Sequence, residues 1–288
     1  MVRIRCIRRL LALISCRHHP DMPWIGSELI VADVVSSGNT FTLGGKKLIS
    51  GERGQVSVGQ PHWASDDILL FLNDSSGYVN PWSYSVASSE ARPVLPKPVL
   101  EDFSEPSWQL GYSDFAVLSS EEVLFASARD GHAVLSLVNL GSRTLNNVPC
   151  PYAVLRQLRS LPSGVVFLGT KYDEATAIVR AVLSHEGIPR YEIVKSLEHT
   201  TLPRSIVSKP QAYALPVPPS NDPVHVLYYP PFNPHFAPLD GEKPPGIVSI
   251  HGGPTARSLP GLNWELQYWT SRGWAWSAPG ASFPRLLH

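Results

Sequence analysis

Residues 123–138 read VLFASARDGHAVLSLV, and this stretch decides the fold class. Two short apolar runs, 123–127 and 133–138, flank the tripeptide Arg129-Asp130-Gly131. Short runs rich in Val, Leu and aromatic residues, bounded by Asp and Gly, are typical of two strands joined by a tight turn. The stretch therefore predicts an antiparallel β-hairpin.

Three further copies of this pattern surround the first one. The paired runs are 11–15 with 29–34, 68–72 with 82–86, and 165–169 with 177–183. The four copies begin at Leu11, Ile68, Val123 and Val165, so consecutive copies are 57, 55 and 42 residues apart. A period near 50 residues is typical of β-propeller blades, because a blade must stack on its neighbours to bury both faces. We predict a mainly β fold with a partial β-propeller of about four blades over residues 1–202, with a β-sandwich as the alternative; a larger propeller is equally consistent.

The composition excludes several classes of protein. The 24 Lys and Arg residues balance the 24 Asp and Glu residues, which argues against a protein that binds nucleic acid or anionic membranes by bulk charge. Hydrophobic residues make up 43% of the chain and charged residues 17%, so the chain has enough apolar material for a folded core. The 28 prolines in 288 residues argue against a mostly helical protein, since an internal proline costs a helix about 3 kcal/mol.

Cysteine usage and the N-terminus give an expectation about location. Cys6, Cys16 and Cys150 form no CxxC pair, so we predict neither a disulfide framework nor a metal site, and no cofactor. The apolar run 10–14 is shorter than the roughly 7–15 residues of a signal-peptide core, although a lipoprotein-type cleavage before Cys16 stays an alternative. No stretch approaches the roughly 18 apolar residues of a membrane span. We therefore expect a cytoplasmic protein that does not bind membranes.

The composition changes after Thr201. Half of the prolines, 14 of 28, lie between Pro203 and Pro260. Because proline lacks a backbone donor, residues 203–240 are predicted to form a connecting segment or edge-strand structure rather than interior sheet. Two strand-like runs, 224–229 and 246–250, lie in and just after this segment.

The last unit, 241–288, has the pattern of an α/β structure. The apolar run 246–250 suits a buried strand and is followed by His251-Gly252-Gly253-Pro254. A helix is predicted next, because Leu262, Leu266 and Trp269 share one face and Gly273 can act as its C-cap. Glycines at a strand end let the backbone approach a ligand and aim an N–H at it, as in the oxyanion hole of α/β-hydrolases. A plain Gly-Gly-Pro turn is the alternative interpretation.

Several stretches resemble one known family. They are YYPPFNP at 228–234, KPP at 243–245, HGGPT at 251–255, QYWTSRGWA at 267–275 and, upstream, HPDMPW at 19–24. Together they resemble the prolyl oligopeptidase family of serine peptidases, in its acylaminoacyl-peptidase and dipeptidyl-peptidase-like branch, over most of the region from about 18 to 276. The resemblance implies a seven-bladed propeller that caps an α/β-hydrolase domain and a serine nucleophile that cleaves short peptides. It also implies that the N–H of Gly253 forms part of an oxyanion hole, with His251 and Gly252 shaping the turn.

The remaining catalytic groups of that family have no counterpart in the sequence. The nucleophile motif G-x-S-x-G does not occur, and the acid and histidine would follow it in chain order. We therefore assign no catalytic residue and expect no catalytic role for His288. The α/β-hydrolase domain is expected to be truncated and the fragment inactive. Alternative splicing, a frameshift or a misassembled gene would account for such a fragment. The tail at 277–284 lacks strand periodicity and departs from the family.

Two other functions stay open at this point. One is a non-catalytic propeller that binds peptides or a partner protein. The other is an esterase-type hydrolase, but the proline after Gly-Gly and the propeller-like repeats argue against it. Arg156 and Arg159 are expected to be solvent-exposed, with the lining of a propeller tunnel as the alternative.

Overall fold

The computed structural model describes residues 2–5, 10–16, 21–106, 111–183, 189–198, 202–219, 222–236, 239, 241–253 and 256–280. Within them lie two α-helices, α1 (Pro23–Gly26) and α2 (Trp264–Thr270), and one 3-10 helix at Arg204–Ile206. The strands are β1 (Val2–Arg5), β2 (Leu10–Ser15), β3 (Glu28–Ser37), β4 (Thr40–Ser50), β5 (Val58–Trp63), β6 (Ile68–Asn73), β7 (Asn80–Ser85), β8 (Glu90–Pro93), β9 (Phe115–Val117), β10 (Glu122–Arg129), β11 (His132–Asn139), β12 (Thr144–Val148), β13 (Val154–Leu161), β14 (Gly164–Thr170), β15 (Ala177–Val182), β16 (Arg190–Ser196), β17 (Gln211–Val217), β18 (Asp222–Tyr229), β19 (Gly246–Val248) and β20 (Ala275–Gly280). No helix in these residues has the length and apolar character needed to span a membrane.

The first sixteen strands form four antiparallel blades. Each blade is a four-stranded sheet whose strands follow chain order, namely β1 to β4, β5 to β8, β9 to β12 and β13 to β16. The four hairpins predicted from the sequence are the second and third strands of these four sheets. The prediction of about four blades is therefore confirmed, and the β-sandwich alternative is wrong because the sheets stack one after another.

Separate hydrophobic cores fill the spaces between neighbouring blades. On β6, Leu69 and Phe71 pack in the core shared with the first blade, whereas Leu70 and Leu72 pack in the core shared with the third. On β10, Leu124 points into the core shared with the fourth blade. Strands β6 and β10 are thus buried on both faces, which explains why their sequences contain continuous apolar runs rather than alternating patterns.

The fifth sheet is mixed and has the order β17-β18-β20-β19. Strands β17, β18 and β20 pair antiparallel, whereas β19 and β20 pair in parallel and are connected through α2. This arrangement confirms the predicted strand, glycine turn and helix of an α/β unit. The division of the chain into 1–202, 203–240 and 241–288 stays a prediction. The proline-rich middle segment supplies β17 and β18 to this sheet, and the expectation that it forms no interior sheet is wrong for β18, which pairs with β17 on one side and β20 on the other. The prolines of this segment are accommodated because Pro216 on the edge strand β17 lies opposite Pro223.

Three details of the last unit differ from the sequence expectations. The run 246–250 is not a buried strand: β19 covers only Gly246–Val248, and Val248 and Ile250 are exposed because β19 lies at the edge of the sheet. Helix α2 begins at Trp264, after an N-cap at Asn263 whose side chain accepts a hydrogen bond from the backbone N–H of Leu266, so Leu262 precedes the helix. The expectation that the tail has no strand is wrong for 277–280, which belong to β20. This strand forms despite its proline and glycine because β18 pairs with it from Trp276 to Gly280, while β19 pairs with its first three residues. Residues 281–288, including His288, lie outside the described residues.

The fifth sheet packs on the third and fourth blades. The backbone N–H of Leu262 donates to the carbonyl of Lys171 at 2.8 Å, and the indole N–H of Trp264 donates to Glu198 at 3.1 Å. Gly131, in the turn between β10 and β11, lies so close to Leu227 that a Cβ atom there would be 2.7 Å from the leucine Cδ2. These contacts hold β18 and the beginning of α2 against the propeller.

Candidate functional site

The candidate site is the glycine turn, residues 251–253, which follows β19. The backbone N–H of Ser249 donates to the carbonyl of Ser277 at 2.9 Å, so the parallel ladder continues just past the end of β19. Gly253 then adopts φ +69°, in the left-handed region that favours glycine over residues with a Cβ. The second glycine is therefore required by the backbone conformation, whatever else it does.

The side of the turn at Gly252 is open. Gly252 and Gly253 are exposed, and among the described residues no atom would lie within 4 Å of a Cβ at Gly252. The half-buried ring of His251 places its Nδ1 3.3 Å from the carbonyl oxygen of Gly252, within the turn itself. The backbone of the turn is thus accessible at the carboxyl end of a strand, which is where α/β sheets bind ligands. The oxyanion role of Gly253 and the shaping roles of His251 and Gly252 stay predictions, and Pro254 lies outside the described residues.

The chain after the turn contacts both the sheet and the propeller. The hydroxyl of Ser258 donates to the carbonyl of Pro279 in β20 at 3.1 Å. The guanidinium of Arg257 reaches Glu105, with Nε at 3.1 Å and Nη2 at 3.0 Å from Oε1. Glu105 lies in the connection between the second and third blades, so Arg257 joins the loop of the candidate site to the propeller.

A polar cluster of the propeller surrounds this contact. The amide of Gln60 donates to Ser104 and to Asp114, each at 2.7 Å, and accepts from the backbone N–H of Asp114 at 2.8 Å. Burial raises the pKa of Asp114, and the hydrogen bonds from Gln60 and Ser104 oppose that shift. Burial likewise raises the pKa of Asp102, while its hydrogen bond from the backbone of Val79 opposes the shift. The cluster is therefore a buried, hydrogen-bonded part of the propeller wall.

The two arginines considered from the sequence have different environments. Arg156 is exposed in part and its Nη2 lies 3.3 Å from Oε2 of Glu105. Arg159 donates to the backbone carbonyls of Leu158 and Gly111. Arg156 thus belongs to the polar cluster, whereas Arg159 links the backbone of β13 to the loop before β9 through hydrogen bonds. Sequence reasoning missed Glu105 and Asp114, because a single acidic residue in a loop carries no motif.

The described residues show no other constellation of catalytic or metal-binding groups. Among them, no group of three or more His, Cys, Asp and Glu side chains could hold a metal ion. His132 has its Nδ1 2.7 Å from the hydroxyl of Tyr172, and burial lowers the pKa of this histidine. In that pair, His132 begins strand β11 of the third blade and Tyr172 lies between β14 and β15 of the fourth, and no serine is hydrogen-bonded to either side chain among the described contacts.

Comparison with solved structures supports a partial β-propeller followed by the beginning of an α/β unit. A puromycin-hydrolysing peptidase of Mycobacterium tuberculosis matches with a TM-score of 0.84 and 29% identity over 94% of this chain. A puromycin hydrolase matches with a TM-score of 0.83 and 25% identity over 96% of this chain. A structure from a study of two prolyl endopeptidases, at 11% identity and a TM-score of 0.66, shares the fold over 94% of this chain. No protein-family model and no curated protein matches the sequence.

These matches confirm the resemblance that the sequence motifs indicate. The chain spans 40% of the length of the first two structures and 36% of the third. Within that part, both the blades and the sheet that carries the glycine turn have counterparts in solved peptidases.

Proposed function

We propose, from the resemblance of this chain to the prolyl oligopeptidase family, that it represents part of the propeller and the beginning of the peptidase domain of a serine peptidase that hydrolyses short peptides. One observation carries the proposal: β19, the glycine turn, α2 and β20 form the start of an α/β unit that is packed on propeller blades. The 29% identity to a solved peptidase over nearly the whole chain supports the same function.

In this proposal the glycine turn stabilises negative charge during acyl transfer. A serine hydroxyl attacks the peptide carbonyl carbon, and the carbonyl oxygen becomes an oxyanion in the tetrahedral intermediate. The backbone N–H of Gly253 donates a hydrogen bond to that oxygen, and the left-handed conformation at φ +69° sets the direction of the N–H. One such donor typically contributes about 3–4 kcal/mol to stabilisation of the transition state.

The 288-residue chain is proposed to be inactive by itself, because its sequence contains no G-x-S-x-G. A fluorescent phosphonate that labels activated serines tests this directly, with a known serine peptidase as the positive control. We expect no covalent adduct in intact-mass spectra of the purified chain. Stoichiometric labelling would contradict the proposal and would locate a nucleophile by peptide mapping.

The family assignment has an independent test in the coding DNA. Reading the three frames beyond the codon for Trp276 should reveal G-x-S-x-G within about a hundred codons. A long open frame without this motif would favour the alternative, a non-catalytic propeller that binds peptides or a partner protein. A cytoplasmic location is part of the proposal, in keeping with the free thiols of Cys16 and Cys150.

A further inference from the structure

The loop that carries the glycine turn is attached at both of its ends. At its start, the N–H of Ser249 is held by the carbonyl of Ser277 in β20. At its end, Arg257 is held by Glu105 of the propeller, 152 residues away in sequence. The seven residues between these two attachments contain the whole turn.

Glu105 is a suitable anchor because the propeller fixes its position. The hydroxyl of Ser104 donates to the backbone carbonyl of Glu105 at 2.8 Å, and the same hydroxyl accepts from the buried amide of Gln60. The carboxylate also pairs with Arg156 of the fourth blade. Glu105 is therefore connected to the second and fourth blades, and Arg257 adds the fifth sheet to this junction.

The pair is sheltered enough to hold the loop. The side chain of Arg257 is 25% exposed and that of Glu105 is 30% exposed, so water screens their attraction less than at a fully exposed pair. Arginine suits this position because two of its nitrogens, Nε and Nη2, approach the same carboxylate oxygen in a fixed geometry. A lysine would supply charge without that geometry.

We propose that Arg257 is the positioning residue of the glycine turn: its pairing with Glu105 fixes the turn against the propeller. Arg257 lies only four residues after Gly253, so the extended chain between them spans at most about 14 Å. Anchoring the arginine therefore restricts where the Gly253 N–H can point. The functional meaning rests on the proposed oxyanion role, but the restriction of the turn does not depend on it.

The test measures backbone motion of the turn in the full 288-residue chain. Glycine-selective 15N labelling gives NMR order parameters for Gly252 and Gly253, and Gly246 and Gly261 serve as internal references on either side. In the wild type we expect order parameters near 0.8 at the turn, as in rigid backbone. In Arg257→Ala we expect a fall below about 0.6 at Gly252 and Gly253, with no change at the two references.

Three further variants separate positioning from general stability. Glu105→Gln should reproduce the loss of order, and the double variant with Arg257→Ala should lose no more than either single variant, because both changes remove the same interaction. Arg257→Lys should restore the order only in part. The matched control is Arg204→Ala, which removes an arginine pair with Asp173 on the fourth blade and should leave the turn unchanged.

Two outcomes would overturn the inference. Unchanged order parameters at Gly252 and Gly253 in Arg257→Ala would show that the sheet alone holds the turn. An equal loss of order at Gly246 and Gly261, with a lower melting temperature, would show that Arg257 stabilises the whole unit and does not position the turn. Because this readout needs no catalysis, it stays separate from the phosphonate and coding-DNA tests of the proposed function.

Discussion

The contact between the third blade and the fifth sheet makes a quantitative prediction at Gly131. This glycine lies in the turn between β10 and β11 with φ +76°, and a Cβ there would lie 2.7 Å from Cδ2 of Leu227. The leucine is only 3% exposed and packs in the core of the fifth sheet, so it has little room to move. Gly77 occupies the corresponding turn of the second blade with φ +88°, but a Cβ there would have no atom within 4 Å.

The two glycines therefore form a matched pair. Gly77→Ala should lower the free energy of unfolding by about 1–2 kcal/mol, the cost of a left-handed alanine. Gly131→Ala should lower it by that amount plus about 1–3 kcal/mol, because it also overpacks the contact with Leu227. Urea unfolding followed by tryptophan fluorescence measures both values.

A double-mutant cycle identifies the cause of the difference. Leu227→Ala alone should cost about 2–5 kcal/mol, as expected for a buried leucine. In that background Gly131→Ala should cost no more than Gly77→Ala does in the wild type, because the space next to residue 131 is then free. Equal losses for Gly131→Ala and Gly77→Ala in the wild-type background would refute the packing of this turn against the fifth sheet.

Three other changes have expected outcomes. Gln267→Leu removes two buried hydrogen bonds of 2.9 Å, one from the backbone N–H of Ser208 and one to its carbonyl. Urea unfolding should show a free energy of unfolding lower by about 2–4 kcal/mol. The control Gln55→Leu, at an exposed position, should lower it by less than about 0.5 kcal/mol. Asn263→Ala removes the N-cap of α2 and should cost about 1 kcal/mol, with most of it recovered in Asn263→Asp. Burial raises the pKa of Asp114 above its ordinary value of 3.8, so the stability that this carboxyl contributes is fully present below pH 3.8 and is lost as the pH rises through the folded-state pKa. The stability of Asp114→Asn relative to the wild type should therefore increase from below pH 3.8 to neutral pH, and a difference independent of pH would contradict the shift.

The propeller could be predicted from the sequence because of where its middle strands lie. Strands such as β6 and β10 are buried on both faces, so they appear as continuous apolar runs that turn residues interrupt. The outer strands give no such signal. Strand β4 is mostly exposed, and the Gly-Gly-Lys-Lys segment at 44–47 interrupts its apolar residues, so its pairing with β3 is not apparent from the sequence.

The candidate site could be predicted only in part. The glycine turn has a local signal, because a left-handed residue at a strand end favours glycine. Its partner on the propeller has none, since Glu105 is far from Arg257 in the sequence and belongs to no motif. The second half of β20, residues 277–280, could not be predicted for a similar reason, because its neighbours in the sheet stabilise a segment whose own residues favour turns.

The position of β19 in its sheet explains why the propeller matters to the turn. Among the described strands β19 is at the edge, paired only with β20, and Val248 and Ile250 are 66% and 77% exposed. An edge strand of three residues is a weak support for a loop, because one ladder of hydrogen bonds holds it on one side only. A second attachment is therefore needed to fix the direction of the Gly253 N–H, and Arg257 provides it from the far end of the loop. The ion pair thus gives the propeller a direct hold on the loop of the site, so a change at Glu105 should reach the turn without any contact to it.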